Sequence, residues 1–98
     1  MAEDEARYLR NPDYVYRMVV GEAILIPVRQ QVADMECIYT LNEVGALVWR
    51  KLGAPATETE LQQVILEEYD ADPQAAMADL QQFLEGMVTV GAIRRIPA

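Results

Sequence analysis

Apolar residues in the first half of the chain fall in short runs that are typical of β-strands. Residues 14–20 are rich in β-branched and aromatic side chains, Gly21 interrupts this character, and residues 23–28 resume it, which predicts a hairpin. After a polar loop, residues 36–41 have the alternating pattern of a third strand. We therefore expect a three-stranded antiparallel sheet in this half of the chain.

The spacing of apolar residues changes at Asn42 from two to about 3.6, which predicts helices in the second half. Asn42 is a typical N-cap residue, and Gly53 ends the first helix. Thr57 and Glu60 have the spacing of a capping box, in which each side chain binds the backbone N–H of the other residue. A second helix is therefore predicted to begin after Thr57.

A third helix is predicted from Asp72, as its cap, to a stop near Gly91, with Pro73 at the first helical position. Residues 91–97 leave room for at most one short strand. The whole pattern predicts an α+β, winged-helix-like fold in which three helices follow the three-stranded antiparallel sheet. We expect one domain over residues 1–98, with residues 1–13 as a flexible N-terminal segment.

The apolar stripe of the third helix is wide, about 160° of the helical wheel. Packing against both the sheet and the first helix would explain this width without any ligand. Alternatively, one margin of the stripe lines an open groove. One margin carries Met77, Leu84 and Val88 with Gln81 beside them, and the other carries Phe83 and Val90. The sequence leaves open which margin is exposed.

Composition and charge narrow the function classes. The chain has 98 residues, 52% of them hydrophobic, which suits one core. Its 16 acidic and 8 basic residues give a net charge of -8, so we expect no binding to nucleic acid. The acidic start does not resemble a secretory signal, and no apolar run approaches the roughly 20 residues of a membrane span. We expect a cytoplasmic protein with no membrane contact.

The chain contains no histidine, no serine and one cysteine, which removes most catalytic and zinc-binding arrangements. Cys37 lies in an apolar strand and is expected to be a buried thiol. Glu67, Glu68, Asp70 and Asp72 form the densest carboxylate cluster, but they lack the spacing and glycine of a calcium loop and are interpreted as a solvated helix end. We therefore expect no catalytic residues, no metal and no cofactor, and predict that the protein is not an enzyme.

The third predicted strand is weakly protected as a sheet edge, because Glu36 is its only charged residue and it contains no proline. An extended peptide can add to such an edge through main-chain hydrogen bonds. If the edge lies beside the third helix, an apolar peptide would also bury side chains against that helix.

Several segments resemble PqqD-like proteins, also described as RiPP recognition elements. Residues 41–49 (LNEVGALVW) strongly resemble the strand-to-helix junction of that family, with the pattern LN-x-x-G-x-x-x-W. Residues 21–27 (GEAILIP), 79–84 (DLQQFL) and 91–93 extend the resemblance over nearly the whole chain. At residues 52–55 (LGAP) the chain departs from the family, which often has an acidic residue before the glycine, and this affects only a local turn.

The resemblance implies a winged-helix-like fold that binds the leader of a ribosomally made precursor peptide along the third strand and against the third helix. It implies structural roles for Asn42, Gly45 and Trp49. The peptide-binding residues that it implies lie on the strand, largely through their backbones, and on the third helix: Cys37, Ile38, Tyr39, Thr40, Met77, Gln81, Leu84 and Val88.

The family role implies two partners, the precursor peptide and a modifying enzyme such as a radical SAM maturase, in the biosynthesis of PQQ or of another RiPP. The recognition module would act as a peptide chaperone and hold no cofactor. Which peptide, maturase and product are involved does not follow from this chain.

Two other functions use the same features. A self-associating structural subunit, for example a homodimer, would fill the strand edge and the helix surface with a second copy. A winged-helix DNA-binding protein would need a basic recognition face, and the third predicted helix contains no lysine or arginine.

Overall fold

The computed structural model describes residues 5–28 and 39–97. Along these residues the elements are β1 (Arg7–Arg10), β2 (Tyr14–Val19), β3 (Glu22–Pro27), β4 (Tyr39–Leu41), α1 (Glu43–Lys51), β5 (Ala56–Thr57), α2 (Glu58–Glu68), α3 (Pro73–Val90) and β6 (Ile93–Ile96). The predicted α+β class is confirmed, with three helices after a three-stranded antiparallel sheet.

The predicted sheet has the order β2-β3-β4, with both neighbouring pairs antiparallel. Val19 pairs with Glu22, so Val20 and Gly21 alone form the hairpin turn. Both turn residues have positive φ, 50° at Val20 and 81° at Gly21, which is the condition for a type I′ turn. This turn matches the right-handed twist of the two strands that it joins.

A second small sheet, with the order β5-β1-β6, was not predicted. Arg7 of β1 pairs with Thr57 on one side and with Ile96 on the other. Residues 7–10, which lie within the segment that was expected to be flexible, therefore form a strand paired on both sides. The strand is hard to predict from the sequence because its apolar centre is only two residues long, with an arginine on each side. Tyr8 is buried to 6% exposure, and the strands that pair with β1 lie far along the chain.

The three helices begin where their N-caps were predicted, and α3 also ends where its stop was predicted. Asn42 caps α1, Thr57 and Glu60 form the capping box of α2, and Asp72 caps α3 with its side chain on the backbone N–H of Ala75. The C-cap of α3 is Gly91 in the left-handed conformation. Each cap satisfies backbone groups that the helix itself leaves unpaired, so nearby residues determine these boundaries.

One core joins the sheets and the helices. Its largest fully buried side chains include Trp49, Leu25, Leu61 and Leu80, one from each of α1, β3, α2 and α3. The guanidinium of Arg10 lies 5.9 Å from the centre of the Trp49 ring, a cation–π contact that ties β1 to α1. Among the described residues, no helix combines the length and the apolar character that crossing a membrane requires.

Candidate functional site

The strand β4 lies at the edge of its sheet within the part of the chain that the structure describes, with β3 as its neighbour. Tyr39 is half-buried against the core, Thr40 is exposed and Leu41 is buried. An edge of this kind offers backbone groups to which an extended peptide can add. Cys37 and Ile38, which were predicted on the same strand, lie outside the described residues.

Asn42 connects β4 to α1 and fixes the start of the helix. Its Oδ1 accepts a hydrogen bond from the backbone N–H of Gly45 at 2.7 Å, and its carbonyl oxygen accepts one from Ala46 at 2.9 Å. Gly45 is buried, and a Cβ at its position would lie 3.0 Å from Cε1 of Phe83. The absence of a side chain therefore lets the Phe83 ring of α3 approach the first turns of α1.

A cavity of about 470 Å³ lies beside this contact. It is lined by the N-cap of α1, by residues among the first six of α1, and by residues from the middle of α3. The lining residues are Asn42, Val44, Gly45, Val48, Asp79, Leu80, Gln82 and Phe83. We call this space the junction groove. Because the lining residue Asn42 directly follows β4, the groove begins one residue after the edge strand ends.

The four predicted residues of α3 face a different direction. Leu84 is 1% exposed and belongs to the core, and Met77 is half-buried against it. Gln81 and Val88 line a second cavity of about 400 Å³, beside β1, β6 and the start of α2. Gln81 and Phe83 are two residues apart, which places them roughly 200° apart around the helix. Gln81 and Val88 therefore line the second cavity and not the junction groove.

The second cavity contains polar groups that already bind one another. Glu58 accepts hydrogen bonds from the Tyr8 hydroxyl and from Nε2 of Gln81, both at 3.1 Å. Burial raises the pKa of the Tyr8 hydroxyl, and the adjacent Glu58 adds to this effect while Arg95 opposes it. Tyr8 therefore stays protonated and keeps its donor role at neutral pH. These hydrogen bonds join β1 to α2 and α3, so we interpret the polar groups of the second cavity as structural.

None of the predicted peptide-binding residues lines the junction groove, so the predicted set omits all eight lining residues, among them Phe83, Asp79 and Val44. The sequence had placed Phe83 on the opposite margin of the α3 stripe without deciding between the margins. The signal available in the sequence is Gly45, since the absence of a side chain there leaves room for the Phe83 ring. Combining that glycine with the wheel of α3 would have favoured the Phe83 margin.

The comparisons with known proteins agree on the fold. The profile of the family described as coenzyme PQQ synthesis protein D (PqqD) matches residues 22–93. A solved structure of TbiB1 in complex with the TbiA(beta) leader peptide is 20% identical, with a TM-score of 0.69 over 88% of this chain and 94% of that chain.

A solved lasso peptide synthetase B1, complexed with the leader peptide, is 16% identical. It has a TM-score of 0.69 over 88% of this chain and 95% of that chain. No curated protein sequence matches. At these identities the two structures establish a shared fold, whereas the family profile covers most of the sequence itself.

Proposed function

Because this chain belongs to the PqqD family, we propose that it binds the leader region of a ribosomally synthesised precursor peptide and presents it to a modifying enzyme. The observation that carries the proposal is that Asn42, which follows the edge strand β4, lines the junction groove. In this arrangement the peptide adds as a strand to β4, where Tyr39 and Thr40 contribute their backbones. Cys37 and Ile38 would extend the same contact.

On the helix side, we propose that the peptide contacts the Phe83 margin of α3 rather than the margin of Gln81 and Val88. Phe83 is half-buried and lines the groove next to Gly45, so a peptide side chain could cover its remaining exposed surface. Strand addition supplies main-chain hydrogen bonds, and the groove supplies apolar burial. The protein itself performs no chemistry in this proposal and acts as a peptide chaperone.

The fold of two proteins whose structures contain leader peptides supports this proposal. By analogy, the partner that receives the peptide is a modifying enzyme, such as a radical SAM maturase, that acts in PQQ or other RiPP biosynthesis. We propose that this delivery takes place in the cytoplasm.

The two alternative functions gain no specific support. Throughout its length α3 (Pro73–Val90) lacks lysine and arginine, so it could make few phosphate contacts in a DNA groove. A homodimer through β4 would compete with peptide binding for the same edge. Sedimentation of the free protein, compared with the protein saturated with peptide, separates a dimer that the peptide dissociates from one that it leaves intact.

An NMR titration tests the proposed site. Synthetic leader peptide, from the precursor encoded beside this gene, is added to the ¹⁵N-labelled protein, with a scrambled peptide of the same composition as the control. We expect the amides of Thr40, Gly45 and Phe83 to shift selectively. Shifts confined to β6, or equal shifts with both peptides, would contradict the proposed site.

A matched pair of substitutions tests which margin of α3 the peptide contacts. Phe83 and Val88 are both half-buried apolar residues of α3, but they line different cavities. We expect Phe83→Ala to weaken leader binding about tenfold or more, because it removes a large apolar contact worth at least about 1.4 kcal/mol. Val88→Ala should change the affinity less than twofold. The reverse order, measured by calorimetry below the unfolding temperature of both variants, would favour the predicted Gln81 margin instead.

A further inference from the structure

The junction groove carries a negatively charged side chain and no positively charged one among its described lining residues. Its lining combines four apolar side chains with neutral polar groups and a single ionisable residue, Asp79. Within the described part of the chain, no lysine or arginine lines the groove. Resting on the proposed function, we infer that the groove selects leader peptides that pair a large apolar residue with a lysine or arginine, the cation lying against Asp79.

Among the described residues, none competes with a peptide cation for Asp79. Its side chain is exposed at the rim and makes no hydrogen bond or ion pair with any described residue. Leu80, the next residue, is 1% exposed and holds this turn of α3 against the core. The carboxylate therefore extends from a fixed part of the helix beside the apolar surface of Phe83, and a peptide residue could reach both.

The N-terminus of α1 also lines the groove, and the N-terminus of a helix attracts anions and so disfavours a peptide cation. Here that attraction is already reduced. Asn42 Oδ1 occupies the N–H of Gly45, and Glu43 places a carboxylate in the first turn. The net charge of -8 also makes the approach of an acidic peptide unfavourable and that of a basic peptide favourable. The local and overall fields therefore both favour a cation.

The expected size of the effect is modest. An ion pair at a solvent-exposed rim changes affinity by about two- to fivefold, and salt screens it. The apolar contact supplies most of the affinity, and the cation supplies discrimination between peptides that fill the groove equally well.

Selection from random dodecapeptides displayed on phage tests the inference and does not require the sequence of the natural leader. The immobilised full-length protein, its Asp79→Asn variant and its Asp70→Asn variant are used in parallel. Asp70 is a suitable control, because it is an exposed carboxylate that does not line the groove and its substitution changes the net charge equally. We expect the unmodified protein and Asp70→Asn to enrich peptides with a lysine or arginine at a fixed spacing from a large apolar residue. Asp79→Asn should retain the apolar preference and lose the preference for a cation.

The outcomes separate this inference from the proposed function. Apolar enrichment without a cation, or a cation preference that Asp79→Asn leaves intact, overturns the assignment to Asp79 while peptide binding stands. A failure to enrich any peptide, or enrichment that Phe83→Ala leaves unchanged, counts against the proposed function itself. As a quantitative check, replacing the cation of a selected peptide with glutamine should weaken binding two- to fivefold to the unmodified protein and leave binding to Asp79→Asn unchanged.

Discussion

At the scale of single residues, Val20 has the least favourable backbone conformation in the described chain. It is the one non-glycine residue there with a positive φ, and its side chain is 97% exposed. A β-branched residue in the left-handed region costs about 1–2 kcal/mol, and no packing around this side chain offsets that cost. The hairpin nevertheless keeps its two-residue turn, because the pairing of β2 with β3 determines where the chain must reverse.

Replacing Val20 with asparagine should therefore stabilise the protein. Asparagine tolerates positive φ, and Asn followed by Gly is the favoured sequence of a type I′ turn. We expect Val20→Asn to raise the free energy of unfolding by about 1 kcal/mol, as measured by urea denaturation. Val19→Asn is the matched control, since Val19 is also exposed but lies in the strand, where asparagine is unfavourable. Equal effects of the two substitutions would show that the turn conformation is not strained.

At the scale of elements, the contact of the Phe83 ring of α3 with α1 depends on the glycine in the first turn of α1. Glycine normally weakens a helix interior by about 0.5–1 kcal/mol relative to alanine. Replacing Gly45 with alanine should not give the corresponding gain in helix stability. The added Cβ would lie 3.0 Å from the Phe83 ring and 3.2 Å from Asn42 Oδ1. Gly86 in α3 has open space around it and should behave as an ordinary helical glycine.

The two glycines therefore predict opposite effects of alanine. Gly86→Ala should raise the free energy of unfolding by about 0.5–1 kcal/mol. Gly45→Ala should give no gain or a loss, and it should weaken leader binding, because the Phe83 ring must move away from α1. Thermal unfolding and peptide titration of both variants provide the measurement. Stabilisation by Gly45→Ala with unchanged affinity would mean that the groove does not need this close contact.

The elements differ in how far the sequence predicts them. The caps Asn42, Thr57 and Asp72 act within three residues, so local sequence defined the helices well. The strand β1 was missed because its short apolar centre becomes a strand only through partners near residues 57 and 96. The choice between the margins of α3 was left open for the same reason. Which margin lines the groove depends on how α3 packs against α1. The residue in the sequence that best indicates this packing is Gly45.

At the scale of the whole molecule, β1 connects parts of the chain that are distant in sequence. It pairs with β5 and β6, and its buried Tyr8 donates a hydrogen bond to Glu58 of α2. Arg10 adds contacts with Trp49 and with the backbone carbonyl of that residue. This strand therefore contributes to the stability of the domain although it lies outside the residues that the family profile matches.

Tyr8→Ala should lower the free energy of unfolding by about 3 kcal/mol or more, because it removes a large buried side chain and its hydrogen bond. Tyr8→Phe should cost about 1 kcal/mol, since it removes only the hydroxyl. Arg7→Ala is the control on the same strand, where an exposed side chain should matter by less than about 0.5 kcal/mol. Urea denaturation followed by circular dichroism measures all three. Similar losses for Tyr8→Ala and Arg7→Ala would show that the strand contributes little.

The pairing of Arg7 with Ile96 has a consequence for protein engineering. Directly paired residues of antiparallel strands have Cα atoms about 5 Å apart, so the backbone enters and leaves the fold at adjacent points. The domain could therefore be grafted into a surface loop of a host enzyme with short spacers, or circularly permuted by joining these ends and cutting another loop. Such a graft would hold a captured substrate at high local concentration beside the host's catalytic centre.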